Sequence, residues 1–165
     1  MQGPRPGYII RHSQSAVSIM AYLKQTANGA CRNAKRHAID RPDQPTPPGY
    51  SQVVDVRGGR IVFIAGQTAL DRDGNLVGKN GFAAQATQVF ANLTVALQAA
   101  GCTAANLVKL TVFLTDMTNL ARYREARNRF FATVTPPAAP AITLVEVTRL
   151  YGADFMIEIE AIAAA

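Results

Sequence analysis

The segment Phe155-Met156-Ile157-Glu158-Ile159-Glu160-Ala161-Ile162-Ala163 constrains the fold most, because its polarity repeats every two residues. Side chains alternate faces along an extended strand. Phe155, Ile157, Ile159 and Ala161 therefore share one face, and Met156, Glu158, Glu160 and Ile162 share the other. The first face is wholly apolar and calls for burial. The second holds two carboxylates, which must meet water or line a cleft, since an unpaired buried carboxylate costs several kcal/mol. A second strand, Ile142 to Arg149, reads directly before it.

Upstream, strand and helix periods alternate. Gln52 to Val56 and Arg60 to Gly66 have strand composition, and Arg57-Gly58-Gly59-Arg60 between them is a short turn, so the pair predicts a hairpin. Asp71-Arg72-Asp73-Gly74-Asn75 is another turn. From Phe82 to Ala100, Ala86, Val89, Phe90, Leu93, Ala96, Leu97 and Ala100 recur at helical spacing, and Gly101 is placed to close the helix. Leu107 to Leu114 is a strong strand. Asn119 can cap a helix with the apolar side Leu120, Tyr123, Ala126, Phe130 and Phe131. The order ββαβαββ predicts an α+β domain in which two helices cover one face of a mixed sheet. The other face is left uncovered, with apolar residues on it, and self-association is the expected remedy.

Composition bounds the function. A chain of 165 residues, 48% of them hydrophobic, suits one core, and no run of eighteen apolar residues exists to span a bilayer, so no membrane partner is expected. The net charge is +6, but residues 1–45 hold seven Lys/Arg against two Asp, whereas residues 46–165 hold ten Lys/Arg against nine Asp/Glu. The excess lies in the N-terminal stretch, and no basic stripe interleaved with aromatics is present, which argues against specific nucleic-acid binding. Cys31 and Cys102 match no zinc or redox spacing and suggest free thiols in a reducing compartment, hence a cytoplasmic protein. His12 and His37 both lie in the N-terminal stretch, away from Cys102. With no ligand cluster or phosphate loop, neither metal nor organic cofactor is implied.

The Pro-rich stretch Arg41-Pro42-Asp43-Gln44-Pro45-Thr46-Pro47-Pro48-Gly49 marks a boundary. Residues 1–45 are expected to be a basic extension, disordered or loosely packed, with a short helix around Ser15 to Lys24 as an alternative; residues 46–165 form the domain. Lys24 directly follows the short apolar run Ala16 to Leu23, which is poor for a signal peptide.

Five segments occur in a fixed order: Tyr50-Ser51-Gln52-Val53, Ile61 to Gln67, Val108 to Met117, Val145-Glu146-Val147, and the acidic strand. In that order, over about residues 47–163, they resemble the RidA/YjgF family of enamine/imine deaminases. The resemblance implies a chorismate-mutase-like fold and a homotrimer whose sheets form an inner barrel, with small-molecule ligand clefts at the subunit interfaces. It further implies that an Arg anchors the substrate carboxylate, the first Glu of the last strand holds or activates water, the Gly before Gln in the second strand contributes its backbone, and a Tyr in the first strand closes the cleft. Glu158, Gly66 and Tyr50 match these positions, and Thr143 follows the anchor position.

The anchor itself is replaced, because Pro140-Ala141-Ile142 stands where the family has Pro-Ala-Arg. Ile142 offers neither charge nor donor, so a simple carboxylate substrate loses its forked partner. Arg124 is a candidate substitute. Against that, Arg122, Arg124, Arg127 and Arg129 surround Glu125, and Glu125 with Arg129 makes an i,i+4 pair, the pattern of a solvated helix face. Glu146 reads as structural and Cys102 as an inert loop thiol. The expectation is a hydrolase acting on reactive enamine or imine intermediates with altered preference. The alternative is a non-catalytic trimer that binds a small ligand or regulates. The ribonuclease label often given to this family does not suit a nearly neutral domain.

Overall fold

The computed structural model describes residues 34–39, 47–132, 134–135 and 137–165, all within one compact unit, Cys31–Ala165. The expectations for Ser15 to Lys24 lie outside the described residues. The elements are β1 (Lys35–Ile39), β2 (Val53–Arg57), β3 (Ile61–Gln67), α1 (Phe82–Ala99), β4 (Leu107–Leu114), α2 (Leu120–Phe131), β5 (Ala141–Glu146) and β6 (Ile157–Ala164).

Four strands make one mixed sheet in the order β3-β6-β4-β5, with β4 and β5 parallel and the other neighbours antiparallel. Period-two burial along β4 and β6 sends Leu110, Val112, Leu114, Ile157, Ile159 and Ala161 to one side. There they meet the stripe Phe82, Ala86, Val89, Phe90, Leu93 and Leu97 of α1, together with Tyr123 and Ala126 of α2, in a single core. Gly101, at φ +67°, ends α1 as its pattern predicts: Cys102 N–H donates to Leu97 O at 2.8 Å and Gly101 N–H to Gln98 O at 2.9 Å. These are the two bonds of a Schellman closure.

Three expectations need correction. The predicted hairpin between β2 and β3 does not form: β2 pairs with β1 in a separate two-stranded ribbon, and β3 pairs with β6. The turn is compatible with a hairpin; the cause is competition for the edge of β3 by the C-terminal strand. Gly58 and Gly59 both have positive φ, and a Cβ on Gly59 would lie 2.4 Å from Ala165 O and 2.7 Å from Ala34 Cβ. Arg60 N–H donates to Ala165 O at 2.6 Å and Ala165 N–H to Arg60 O at 3.0 Å, so the chain leaves the turn already paired with its own C-terminus.

The domain also begins before residue 46, because Lys35–Ile39 is the partner strand of that ribbon. Finally, Asn119 makes no side-chain cap. Asp116 does so instead, its Oδ1 accepting from Thr118 N–H at 2.8 Å at the head of a 3-10 turn that leads into α2.

The ribbon changes the second face of the sheet. Ala34, Val54 and Val56 pack with Val108, Ile162 and Ala164, covering one end of that face. The rest stays open, with Phe63 78% and Ile61 46% exposed.

Candidate functional site

Glu158 lies on the open face of the sheet. In β6 it is paired with Phe113 of β4, and the pleat turns it away from Ile157 and Ile159, which are fully buried under the helices. On its other side β3 carries a bulge: Ile64 pairs with Ala161 but Gln67 with Ile159, so Ala65 and Gly66 form the irregular stretch. The Glu158 carboxylate lies against that bulge. A Cβ on Gly66 would fall 1.8 Å from Glu158 Oε1 and 2.7 Å from its Cδ, so glycine is what allows the carboxylate to lie on the strand.

This packing changes the acid. Partial burial raises the Glu158 pKa, and the neighbouring Glu160 charge raises it further. Among the described residues Glu158 belongs to none of the ion pairs, which are Arg57–Asp55, Arg72–Asp73 and Lys79–Asp154. A half-buried carboxylate outside the ion pairs of the described residues, with raised proton affinity and exposed backbone beside it, can accept a proton from a group placed there.

Other candidates are distributed on both sides of the sheet. Thr143 is exposed on the face that holds Glu158, and its Oγ1 accepts from Lys109 Nζ. Lys109 was not singled out from sequence. The alternation of Leu107–Leu114 places it with Thr111 and Phe113, opposite buried Leu110 and Val112, which is the signal that could have found it. Ile142 is level with fully buried Leu110 and packs on the main core, so it faces the helix layer, away from Glu158. Within one chain, position 142 and Glu158 therefore do not look into a common space.

Tyr50 is half-buried and stands at the start of β5. The next residue, Ser51, bridges Ala141, and its N–H donates to Pro140 O at 3.2 Å. Arg124 is exposed on α2, in the helix layer, its side chain making no hydrogen bond or ion pair with another described residue. The expected Glu125–Arg129 ion pair is likewise not formed. Glu146 is structural: its Oε2 accepts from Met117 N–H at 2.6 Å. Cys102 is buried, and among the described residues no three His, Cys, Asp or Glu gather as a metal set. No described helix is long and apolar enough to cross a membrane.

Comparison with known proteins identifies the family. A family model described as Endoribonuclease L-PSP matches residues 41–165. A RutC family protein of a Synechocystis strain is 39% identical over 127 residues, covering 76% of this chain and 93% of the relative. The 2-iminobutanoate/2-iminopropanoate deaminase of Mus musculus is 35% identical over 129 residues, covering 78% of this chain and 90% of the relative. Among solved structures, YyfB of Yersinia pestis, a protein of unknown function in the conserved Rid family, superposes with a TM-score of 0.70 at 35% identity, covering 79% of this chain and 98% of that one. The match of one family model to three quarters of the chain, with relatives of this similarity aligned over nearly their full length, means that the chain belongs to the RidA/YjgF family.

Proposed function

We propose that this protein hydrolyses reactive enamine or imine intermediates as a homotrimer in the cytoplasm, with a small-molecule cleft at each subunit interface. Its preference is shifted away from simple 2-imino acids. The observation that carries this reading is the Glu158 carboxylate, held on Gly66 by the β3 bulge and outside every ion pair among the described residues. The name of the mouse relative supports the reaction type. In the proposed step, water oxygen bonds to the imine carbon while Glu158 takes a proton from it. That proton passes to nitrogen as the C=N π bond opens, giving a carbinolamine; Glu158 then takes the hydroxyl proton and delivers it to the same nitrogen as the C–N bond breaks and the C=O bond forms, releasing ammonia and a carbonyl compound. Raised proton affinity favours Glu158 as the acceptor.

Ile142 carries the change of preference. A forked Arg–carboxylate pair is among the stronger recognition elements, and losing a charged partner costs about 2–5 kcal/mol. The substrate is therefore expected to present a polar group other than a carboxylate at that position. Ten Lys/Arg against nine Asp/Glu over residues 46–165 disfavour a ribonuclease reading of the domain.

Ammonia release from imines generated in place, 2-imino acids by an amino-acid oxidase and carboxylate-free imines by an amine oxidase, tests the proposal, with the greater acceleration expected on the second. The native chain should accelerate release, and Glu158→Gln should lower kcat by roughly 10²- to 10⁴-fold. A native protein that binds the imine but releases no ammonia above background would favour the non-catalytic ligand-binding trimer, a reading to which Ile142, packed into the apolar core, lends support.

A further inference from the structure

Arg127 is a buried cation with no carboxylate beside it among the described residues. It lies on α2 at 6% exposure and takes part in none of the ion pairs between them. A guanidinium in that position is costly unless its N–H groups find acceptors. Its Nη2 donates to Pro48 O at 3.0 Å and to Asn128 Oδ1 at 3.0 Å, Nε donates to the same Oδ1 at 3.3 Å, and Cζ lies 6.0 Å from the Tyr123 ring centroid. Asn128 and Tyr123 are on the same helix, so Pro48 is the distant group that the fork reaches.

The segment it reaches is shaped to receive it. Gly49 has φ +78°, and a Cβ there would lie 2.7 Å from Arg127 Nη2. Two residues on, Ser51 is 2% exposed, its N–H bonded to Pro140 O at 3.2 Å, and it bridges Ala141. A continuous line of contact thus runs from α2 through Pro48 and Gly49, past Tyr50, to the residue before Ile142.

We infer that Arg127 is a positioning residue: it fastens Pro48–Ser51 so that Tyr50 stands at the head of β5, and it thereby sets how tightly the cleft holds its ligand. The inference rests on the proposed hydrolysis and on the cleft-closing role that the family resemblance implies for Tyr50. Guanidinium suits the task because its planar fork delivers two bonds in fixed directions, whereas an ammonium supplies charge without the fork.

Full-length Arg127→Met and Arg127→Lys test it by hydrogen exchange and by imine hydrolysis. In Arg127→Met the Ser51 amide should exchange at least roughly 10-fold faster while amides of β4 and β6 keep their protection. The KM should rise about 3- to 10-fold with kcat within about twofold, and Arg127→Lys should fall between. Native exchange at Ser51 in a folded Arg127→Met would overturn the inference. So would equal loss of protection in β4 and β6, which marks a general packing role. Should Arg127→Met not fold, Arg127→Lys, which keeps the charge and loses the fork, gives the same readouts. If the native chain hydrolyses no imine, the functional proposal fails by itself, and exchange at Ser51 still decides the role of Arg127.

Discussion

Glu158 and Gly66 act as one unit, since the carboxylate occupies the volume a side chain at position 66 would take. Gly66→Ala should therefore displace the carboxylate, the flexible partner, and lower kcat by roughly 10-fold or more while the fold survives. The same substitution should cost less melting temperature in a Glu158→Ala background, where the clash is absent. Glu158 also has a pH signature. Its folded pKa is raised, so the native state holds the proton more tightly than the unfolded chain does. Stability from this group is complete below the ordinary glutamate value of about 4.3 and is lost as pH rises through the higher folded value. Glu158→Gln should therefore match the native protein in acid and exceed it near neutrality, by less than about 1 kcal/mol given the solvent around the group. Thermal melts across that range would show it, and a variant less stable than native at neutral pH would contradict it. Of the site, the carboxylates on the mixed face of the last strand were legible from alternation alone. The seat on Gly66 was not, because a bulge and a cross-strand contact leave no local pattern.

At the scale of elements, what the sequence declared was what depends on local periodicity. Helix α1 showed its stripe and its Gly101 closure, and β4 and β6 showed alternation. Gly101→Ala should cost on the order of 1 kcal/mol, because a Cβ is strained at φ +67° and the closure depends on that conformation. A melting-temperature drop of about 2–4 °C would register it. The failures were failures of pairing. Lys35-Arg36-His37-Ala38-Ile39 carries too much charge to read as a strand, which conceals the partner of β2. A two-glycine turn between strands reads as a hairpin, whereas the bonds of Arg60 with Ala165 commit β3 to the C-terminal strand. Long-range competition for an edge cannot be read from the turn. The same limit hid Arg127, which looked like one more surface charge among four until the fold brought Pro48 and Gly49 to its fork.

At the scale of the whole molecule, the sheet is covered by helices on one face and only in part by the ribbon on the other. Phe63 and Ile61 remain on the open side, and Ile142 and Glu158 face opposite sides of one sheet. Both facts are met if a neighbouring subunit completes the cleft, as in the proposed trimer. Phe63→Glu should therefore shift the protein toward monomers in analytical ultracentrifugation and abolish activity, whereas an unchanged sedimentation coefficient would remove Phe63 from the interface. The most direct test of the central claim is ammonia release from a series of imines, some with a carboxylate and some with a neutral polar group in its place, by the native protein and by Glu158→Gln. The native chain should accelerate release, more on the neutral series, and Glu158→Gln should lose that acceleration. Equal rates from the two proteins across both series would contradict the claim.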